Sequence, residues 1–315
     1  MQDYTYLYRD ALSLTDHWAE NWTIFLSAYN PSERVTTVFN RVDAVAKHWV
    51  IHQEYNFTNA QHPPGSIFLS NADNEADFIL EFAETKFKDI DLAAERICVD
   101  VTGFMRPHLM FLIKYLREKG VKRLDAIYSE PAYYALKERT EFSLGSVNTV
   151  RQVAGFEGQS NADSSRDILI IGAGYETHLI AEVAEDKEKA HKIVVLGLPS
   201  LSCDMYQQNA WRTRLAADSI GETVGLKYFA PANDPFATAT VLSQIVERES
   251  KIAPITNLYL SPLATKAQAL GFVLYYLGEC QNKNASIIFP FSTRYSAESA
   301  KGIARIWKYR LEFTV

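Results

Sequence analysis

Residues 100–106, with the sequence DVTGFMR, combine residue types that can bind an anion. Asp100 ends a short apolar run, where a carboxylate is costly unless it is paired. Arg106 follows closely enough to pair with Asp100 or to bind an anionic ligand, and Thr102 offers a hydroxyl between them. A helix beginning near Arg106 would add backbone N–H groups and the positive end of its dipole. The segment therefore predicts an anion-binding loop or, as the alternative, an aspartate that caps the following helix.

A second segment, residues 261–266 with the sequence SPLATK, places a hydroxyl and an ammonium group before another predicted helix. Thr265 and Lys266 suit the binding of phosphate or carboxylate, and the alternative is a solvated lysine beside a threonine cap. The chain has no GxxxxGK[ST] motif, which excludes a Walker-type site. Arg34 and Arg294 follow other predicted strands and are further cations for the same ligand.

Residues 172–176, with the sequence GAGYE, resemble the first half of the dinucleotide-binding fingerprint GxGxxG. Thr177 stands where the third glycine is required, and no acidic residue follows the next strand. A nicotinamide-dinucleotide site is therefore not expected. Gly174 and Tyr175 stay candidates for ligand contact, because small residues let a ligand approach the backbone.

Four carboxylates at predicted strand ends or helix starts are candidates for acid–base catalysis: Asp100, Glu130, Glu176 and Asp234. The chain has no GxSxG nucleophile elbow, so serine hydrolase chemistry is not indicated. His52 with Glu54, and His108 with His178, are the pairs that suggest a metal, but neither belongs to an HExxH motif or a larger histidine and acid cluster. We expect neither a metal nor a cofactor.

These segments share a regular setting in the chain. Seven times, a short apolar run ends in a loop of small and polar residues, and most of these loops precede a stretch with helical spacing. Such alternation predicts an α/β protein with mostly parallel, Rossmann-like sheets, which could form two similar halves. Ligands bind at the carboxyl ends of the strands in such sheets. We therefore expect Arg106, Lys266 and Arg294 to meet on one shared rim.

Composition indicates a boundary near the middle of the chain. Residues 158–166 are rich in small and polar types and are predicted to link an N-terminal α/β half, residues 1–157, to a C-terminal α/β half, residues 167–315. The halves share a faint pattern of strand, glycine, aromatic residue and His-Leu, at residues 103–109 and 174–179.

Three local predictions concern the edges of the sheets. Residues 3–22 are predicted to form an N-terminal helix. Residues 129–140 are predicted to form a polar turn followed by a short helix, and residues 305–313 a final strand at an antiparallel edge.

Bulk composition narrows the function classes. The 315 residues are 47% hydrophobic and 22% charged, which is typical of a folded globular protein. A net charge of −6 opposes broad binding to duplex nucleic acid but allows a local site for a small anion. The three cysteines are far apart, and the chain has neither a signal-like start nor an apolar window of membrane-spanning length. These features predict a reduced, cytoplasmic protein without membrane contact.

Residues 100–106 resemble a loop of the CARF superfamily, the ligand-binding Rossmann-like domains of CRISPR-associated and other bacterial defence proteins. Members carry a strand ending in Asp-[Ile/Val]-Thr, then a glycine and an arginine, and here one extra residue precedes Arg106. Residues 260–269 are similar to a second loop of that family, which ends in Thr-Lys, with Leu263 and Ala264 where glycines are usual. The resemblance implies a homodimeric sensor of a nucleotide or oligonucleotide that acts through an effector protein.

Three functions remain open from the sequence. The first is a soluble, bacterial-type sensor of a nucleotide or other small anion in a defence or regulatory system. The second is a transferase or hydrolase acting on a nucleotide or other small anionic substrate. The third is a structural or interaction subunit, with the acidic segment 71–91 and the tyrosine-containing helix 270–277 as partner surfaces.

Overall fold

The computed structural model describes residues 3–4, 7–18, 20–134, 143–202, 205–215, 227–295 and 300–313. These residues form two compact units, each built on one sheet. The seven-stranded unit comprises Leu7–Phe142 and Arg294–Val315, and the six-stranded unit comprises Met1–Tyr6 and Ser143–Thr293. Both sheets are mostly parallel, which confirms the predicted α/β class.

The seven-stranded unit contains strands at both ends of its chain segments. Its strands are β1 (Arg9–Leu12), β2 (Trp22–Ala28), β3 (Ala44–Ile51), β4 (Ser66–Leu69), β5 (Ile97–Asp100), β6 (Arg123–Tyr134) and β13 (Ala300–Glu312). Its helices are α1 (Glu33–Arg41), α2 (Glu75–Lys86) and α3 (Arg106–Glu118), counted among the described residues. Each of the three helices follows a strand, as a βαβ pattern requires.

The strand order of this sheet is β1-β13-β6-β5-β2-β3-β4. Strands β2 to β6 are parallel, with the first strand in the middle, the second and third on one side, and the fourth and fifth on the other. This is the Rossmann order. Strand β13 pairs antiparallel with both β6 and β1, so the predicted final strand is antiparallel but lies one position inside the edge.

The six-stranded unit repeats the same arrangement. Its strands are β7 (Ser143–Gln152), β8 (Ile168–Ala173), β9 (His191–Gly197), β10 (Lys227–Ala230), β11 (Leu258–Pro262) and β12 (Ala285–Tyr295). Its helices within the described ranges are α4 (Thr177–Asp186), α5 (Met205–Leu215), α6 (Pro235–Ile252) and α7 (Lys266–Tyr275). The order is β10-β9-β8-β11-β12-β7, in which β8 to β12 are parallel and again follow the Rossmann order.

The two units therefore have similar strand topology, but the two segments whose likeness suggested this similarity are not equivalent in it. Residues 103–109 follow β5, the fourth strand of its Rossmann order, whereas residues 174–179 follow β8, the first strand of the other. These two turns occupy different places in the repeat. Their likeness reflects the common demands of a strand-to-helix turn, which small and aromatic residues satisfy in many contexts.

Continuous apolar runs form the cores of both sheets. All six residues of β8 are buried, as are Ile24 to Ala28 of β2. Parallel strands that are covered on both faces have this unbroken apolar pattern. Gly271 lets α7 approach α6, because a Cβ there would lie 2.5 Å from the Pro235 carbonyl oxygen.

Two secondary-structure predictions are wrong. Residues 9–12 form β1 rather than part of a helix over 3–22, because they pair with β13, from Arg9 opposite Tyr309 onwards. Residues 129–134 continue β6 rather than forming a turn, since β13 pairs with this strand up to Tyr134, and residues 135–140 lie outside the described residues. Long-range pairing overrides local propensity in both cases.

The segment predicted as a linker, residues 158–166, packs within the six-stranded unit. Gln159 N donates to the Lys283 carbonyl oxygen at 3.0 Å, and Asn257 Nδ2 donates to the carbonyl oxygens of Asn161 and Asp163, both at 3.2 Å. Strand β7, which precedes this segment, already belongs to the six-stranded sheet. The chain crosses between the units after residues 6, 142 and 293, and composition alone does not reveal these crossings.

Candidate functional site

The loops selected from the sequence lie where the strand order reverses in each sheet. This point falls between β2 and β5 in one unit and between β8 and β11 in the other. Residues 100–106 begin with the last residue of β5. Residues 172–176 and 261–266 begin with the last two residues of β8 and of β11. Ligands of open α/β sheets bind at this place, which makes both edges candidates.

The cations expected on one rim do not share the edge of a single sheet. Arg106 follows β5 of the seven-stranded sheet, and Lys266 follows β11 of the six-stranded sheet. The backbone of Arg294 lies near the end of β12, and its side chain is outside the described set. The two edges are therefore described separately.

Asp100 is fully buried at the end of β5, opposite Ser27 of β2. Ser27 Oγ donates to Asp100 Oδ2 at 2.9 Å, and Thr102 N donates to Oδ1 at 3.0 Å. Burial raises the pKa of Asp100 to about 6, although these hydrogen bonds and the nearby charge of Arg34 act against the rise. The N-cap of α3 is Met105, which provides no side-chain cap, so Asp100 shapes the loop rather than capping the helix.

The same network fixes the loop against its neighbours. Ser129 N donates to Thr102 Oγ1 at 3.0 Å, and Arg34 Nη1 donates to the Ser129 carbonyl oxygen at 2.9 Å. Gly103 lies directly on the end of β2, because a Cβ there would be 2.0 Å from the Ala28 carbonyl oxygen. The loop and Arg34 therefore have a defined position before any ligand arrives.

His52, at the end of β3, has a structural role in this edge. Met105 N donates to His52 Nε2 at 3.2 Å, next to the first residue of α3. The imidazole ring lies 4.6 Å from that of His108 and 5.5 Å from the ring of Phe78. The histidine pair thus packs within an aromatic core and orients the start of α3.

The charges of two arginines act on the Tyr55 hydroxyl. Burial raises the pKa of Tyr55 to about 12, and the charges of Arg106 and Arg34 both act against that rise. Arg34 lies in the first turn of α1, and Arg106 begins α3. Both side chains are half-buried. Because these helices follow the paired strands β2 and β5, both arginines lie at the carboxyl edge of this sheet.

Aromatic side chains surround the same point. Tyr29, Tyr55 and Phe57, together called the aromatic cluster, are each half-buried. The ring of Phe57 lies 5.3 Å from that of Tyr29 and 5.5 Å from that of Tyr55, nearly parallel to the latter at 25°. The sequence did not predict this cluster, and its only signal there is aromatic residues placed just after two strands.

The β11 edge of the six-stranded unit is more closely packed. Gln268 N donates to Thr265 Oγ1 at 3.1 Å, and the Thr265 hydroxyl donates to the Ala232 carbonyl oxygen. Thr265 therefore caps α7, as the alternative interpretation predicted, and Lys266 beside it is half-buried. Gly174 allows the loop to cross β8, because a Cβ there would lie 2.4 Å from the Leu263 carbonyl oxygen.

Tyr175 and Glu176 are buried, with 7% and 2% of their surface exposed. The Arg212 guanidinium lies 4.9 Å from the centre of the Tyr175 ring and donates to the Tyr175 carbonyl oxygen. Arg212 of the same unit therefore contacts Tyr175, whose ring was predicted to contact a ligand. The seven-stranded edge, with its half-buried arginines and aromatic cluster, is the better candidate.

Two further carboxylates have structural partners. Glu130 lies within β6, and its Oε1 accepts a hydrogen bond from Trp307 Nε1 at 2.6 Å. Asp234 caps α6, accepting from Phe236 N and Ala237 N at 3.0 Å each. Both side chains serve the fold directly, and their use in acid–base catalysis stays a prediction.

Comparison with known proteins adds no family to this description, since no protein-family model and no curated protein matches the chain. Among the described side chains, no three of the histidine, cysteine, aspartate and glutamate types are grouped closely enough to hold a metal ion. The helices that the structure describes include none with both the length and the apolarity needed to cross a membrane. Function is therefore argued from the geometry of the seven-stranded edge.

Proposed function

We propose that the protein senses a nucleotide, or a related phosphate-bearing ligand, at the carboxyl edge of its seven-stranded sheet. The observation that carries this proposal is that Arg34 and Arg106 lie in the first turns of helices that follow the paired strands β2 and β5, at the edge that also holds the aromatic cluster. Guanidinium groups bind phosphate with paired hydrogen bonds. Aromatic side chains stack on nucleobases. A site for a simple anion needs the cations alone, so the neighbouring aromatic rings favour a nucleotide.

The hydrogen bonds and burial of Asp100 favour a structural role in a binding site over a role as a catalytic base. Both carboxylate oxygens of Asp100 already accept hydrogen bonds, from Ser27 and Thr102. A general base must reach the proton that it removes, and the Asp100 carboxylate is fully buried. Asp100 instead holds the loop in place, which lowers the cost of ordering the site when a ligand binds.

An enzyme is the second candidate, and one observation favours it. Glu54 lies beside Tyr55, is half-buried, and has a pKa that burial raises above its ordinary value. A carboxyl group of this kind can act as a general acid or base in a transferase or hydrolase. Substituting Glu54 by Gln would abolish turnover in that case while leaving nucleotide affinity within about threefold.

A sensor must pass its signal to a partner. The resemblance of residues 100–106 to CARF loops supports a homodimer that acts on an effector protein in the bacterial cytoplasm, in a defence or regulatory role. The net charge of −6 supports a small ligand over duplex nucleic acid. Lys266, Thr265, Gly174 and Tyr175 belong to the other sheet and are kept as a separate predicted site.

Calorimetric titration of the full chain tests the proposal. The ligands are a nucleoside monophosphate, a nucleoside triphosphate, a short linear oligonucleotide, a cyclic dinucleotide, inorganic phosphate and a nucleoside. We expect at least one nucleotide to bind ten or more times tighter than phosphate or nucleoside alone, with affinity falling as salt rises. A folded sample that binds none of them, or that binds phosphate as tightly as every nucleotide, would contradict the proposal.

A further inference from the structure

A cavity of about 260 Å³ lies at the opposite, amino edge of the seven-stranded sheet. Three strands contribute their first residues to its wall: Trp22 of β2, Ile97 of β5 and Arg123 of β6. Asp125, two residues into β6, lines it as well. The volume lies just below the range of pockets for drug-sized ligands, so the cavity suits a smaller molecule.

Asp125 gives this cavity a buried acceptor. Only 4% of its surface is exposed, and Trp22 Nε1 donates to its Oδ2 at 2.9 Å. Its Oδ1 is buried and accepts no hydrogen bond from the residues that the structure describes. Arg123 Nη2 forms an ion pair with this oxygen at 3.7 Å, which exceeds hydrogen-bond distance. Buried carboxylate oxygens normally accept hydrogen bonds, so this oxygen is suited to a donor from a ligand.

The rim of the cavity has the opposite charge. Arg96, Lys122 and Arg123 line it and are exposed, and Glu95 is the one other acidic side chain among its described lining residues. Arg96 Nη2 already pairs with Glu20 at 3.3 Å. Lys122 and Arg123 are therefore the rim cations that we expect to face a ligand. A ligand would therefore meet a carboxylate inside and positive charge at the mouth.

We propose that this cavity binds a small zwitterion of the α-amino-acid class. Its ammonium group donates to Asp125 Oδ1, and its carboxylate faces Lys122 and Arg123. The Arg123 side chain, 45% exposed, turns from Asp125 toward the ligand carboxylate as the ammonium group takes its place. A purely anionic ligand would leave Oδ1 without a donor, and a purely cationic ligand would face the rim cations.

Calorimetry of the full chain with glycine, L-alanine, L-serine and L-glutamate tests this site. N-acetyl-L-alanine lacks the ammonium group, and L-alaninamide lacks the carboxylate. We expect at least one free amino acid to bind, and both blocked forms of alanine to bind at least tenfold more weakly than alanine. Asp125→Asn and Arg123→Gln should each weaken binding at least tenfold. Glu118→Gln, on the exposed end of α3, should leave it unchanged.

Folding of each variant is checked by circular dichroism. Arg123 is a surface side chain, so Arg123→Gln reports on the site even where Asp125→Asn unfolds the protein. The proposal is overturned if none of the four amino acids binds to the folded wild-type protein. Equal binding of the blocked forms, or unchanged binding in Arg123→Gln, overturns it as well.

Discussion

Asp100 lies buried at the end of β5 and accepts hydrogen bonds from Ser27 and Thr102. The sequence shows a carboxylate that ends an apolar run and so predicts that a partner exists. It does not show that the partner is Ser27, 73 residues away. Arg106, which is near in sequence, was one candidate partner. Strands β2 and β5 are paired so that Ser27 lies opposite Asp100.

The raised pKa of Asp100 predicts a pH dependence of stability. Its native value of about 6, against an ordinary 3.8, means that the native state binds this proton more tightly than the unfolded chain. The stabilisation is complete below about pH 3.8 and is lost as the pH rises to about 6, an effect of roughly 3 kcal/mol at most. Urea unfolding of the wild type and Asp100→Asn at pH 4, 5, 6 and 7 measures it.

The Asn side chain does not titrate, so the free energy of unfolding should fall less steeply between pH 4 and 6 in that variant than in the wild type. All other titrating groups are common to the two proteins and cancel in the difference. Parallel curves for the two proteins over this interval would show that the Asp100 pKa is not raised.

At the scale of elements, one contact recurs at both strand-order reversals. In each unit, the loop after the fourth Rossmann strand crosses the end of the first, and a glycine makes room for it. Gly103 lies on the crossing loop in one unit, and Gly174 lies on the strand end in the other. The sequence shows both glycines, but only the structure shows that they serve the same close approach.

Gly103→Ala should destabilise the seven-stranded unit by roughly 1–3 kcal/mol. Its Cβ would lie 2.0 Å from the Ala28 carbonyl oxygen, a backbone atom that cannot turn aside. Gly172→Ala is the comparison, since its Cβ would meet the Phe272 ring at 2.9 Å, where a side chain can shift. Thermal unfolding measures both, and a loss for Gly103→Ala no larger than that for Gly172→Ala would refute the argument.

Most βα units could be predicted from the sequence because their signals are local. Asp234, for example, was predicted to lie at a strand end or a helix start, and it is the N-cap of α6. β1 and the second half of β6 could not be predicted, because both depend on pairing with β13, far along the chain. Arg34 was recognised as a cation, whereas its place beside the aromatic cluster depends on how α1 and the loop after β3 fold together.

At the scale of the whole molecule, the seven-stranded sheet combines strands from two separate segments of the chain. Strand β13 pairs with β6 from Ala300 opposite Tyr134 to Glu312 opposite Arg123, and it also carries the pairing with β1. Its Ile306, Tyr309 and Leu311 side chains are buried. The division of the chain into units therefore depends on its C-terminal segment, which neither composition nor local spacing indicates.

Deleting residues 300–315 should unfold the seven-stranded unit, because β6 loses one of its two neighbouring strands and the unit loses the buried side chains of β13. Hydrogen exchange measures the result. We expect β5 and β6 to lose protection while β8, β9 and β11 keep theirs, since these three strands belong to the other sheet. Undiminished protection of β6 in the shortened chain would show that β13 is not part of this unit's stable core.

The central claim is that a nucleotide binds at the carboxyl edge of the seven-stranded sheet. The most direct test is calorimetric titration of the tightest-binding nucleotide into Arg106→Gln and Lys266→Gln, a matched pair in which each variant loses one half-buried cation at the start of a helix. We predict that Arg106→Gln weakens binding at least tenfold, about 1.4 kcal/mol, and that Lys266→Gln leaves it unchanged. Full affinity in Arg106→Gln, with the loss appearing in Lys266→Gln instead, would contradict the account.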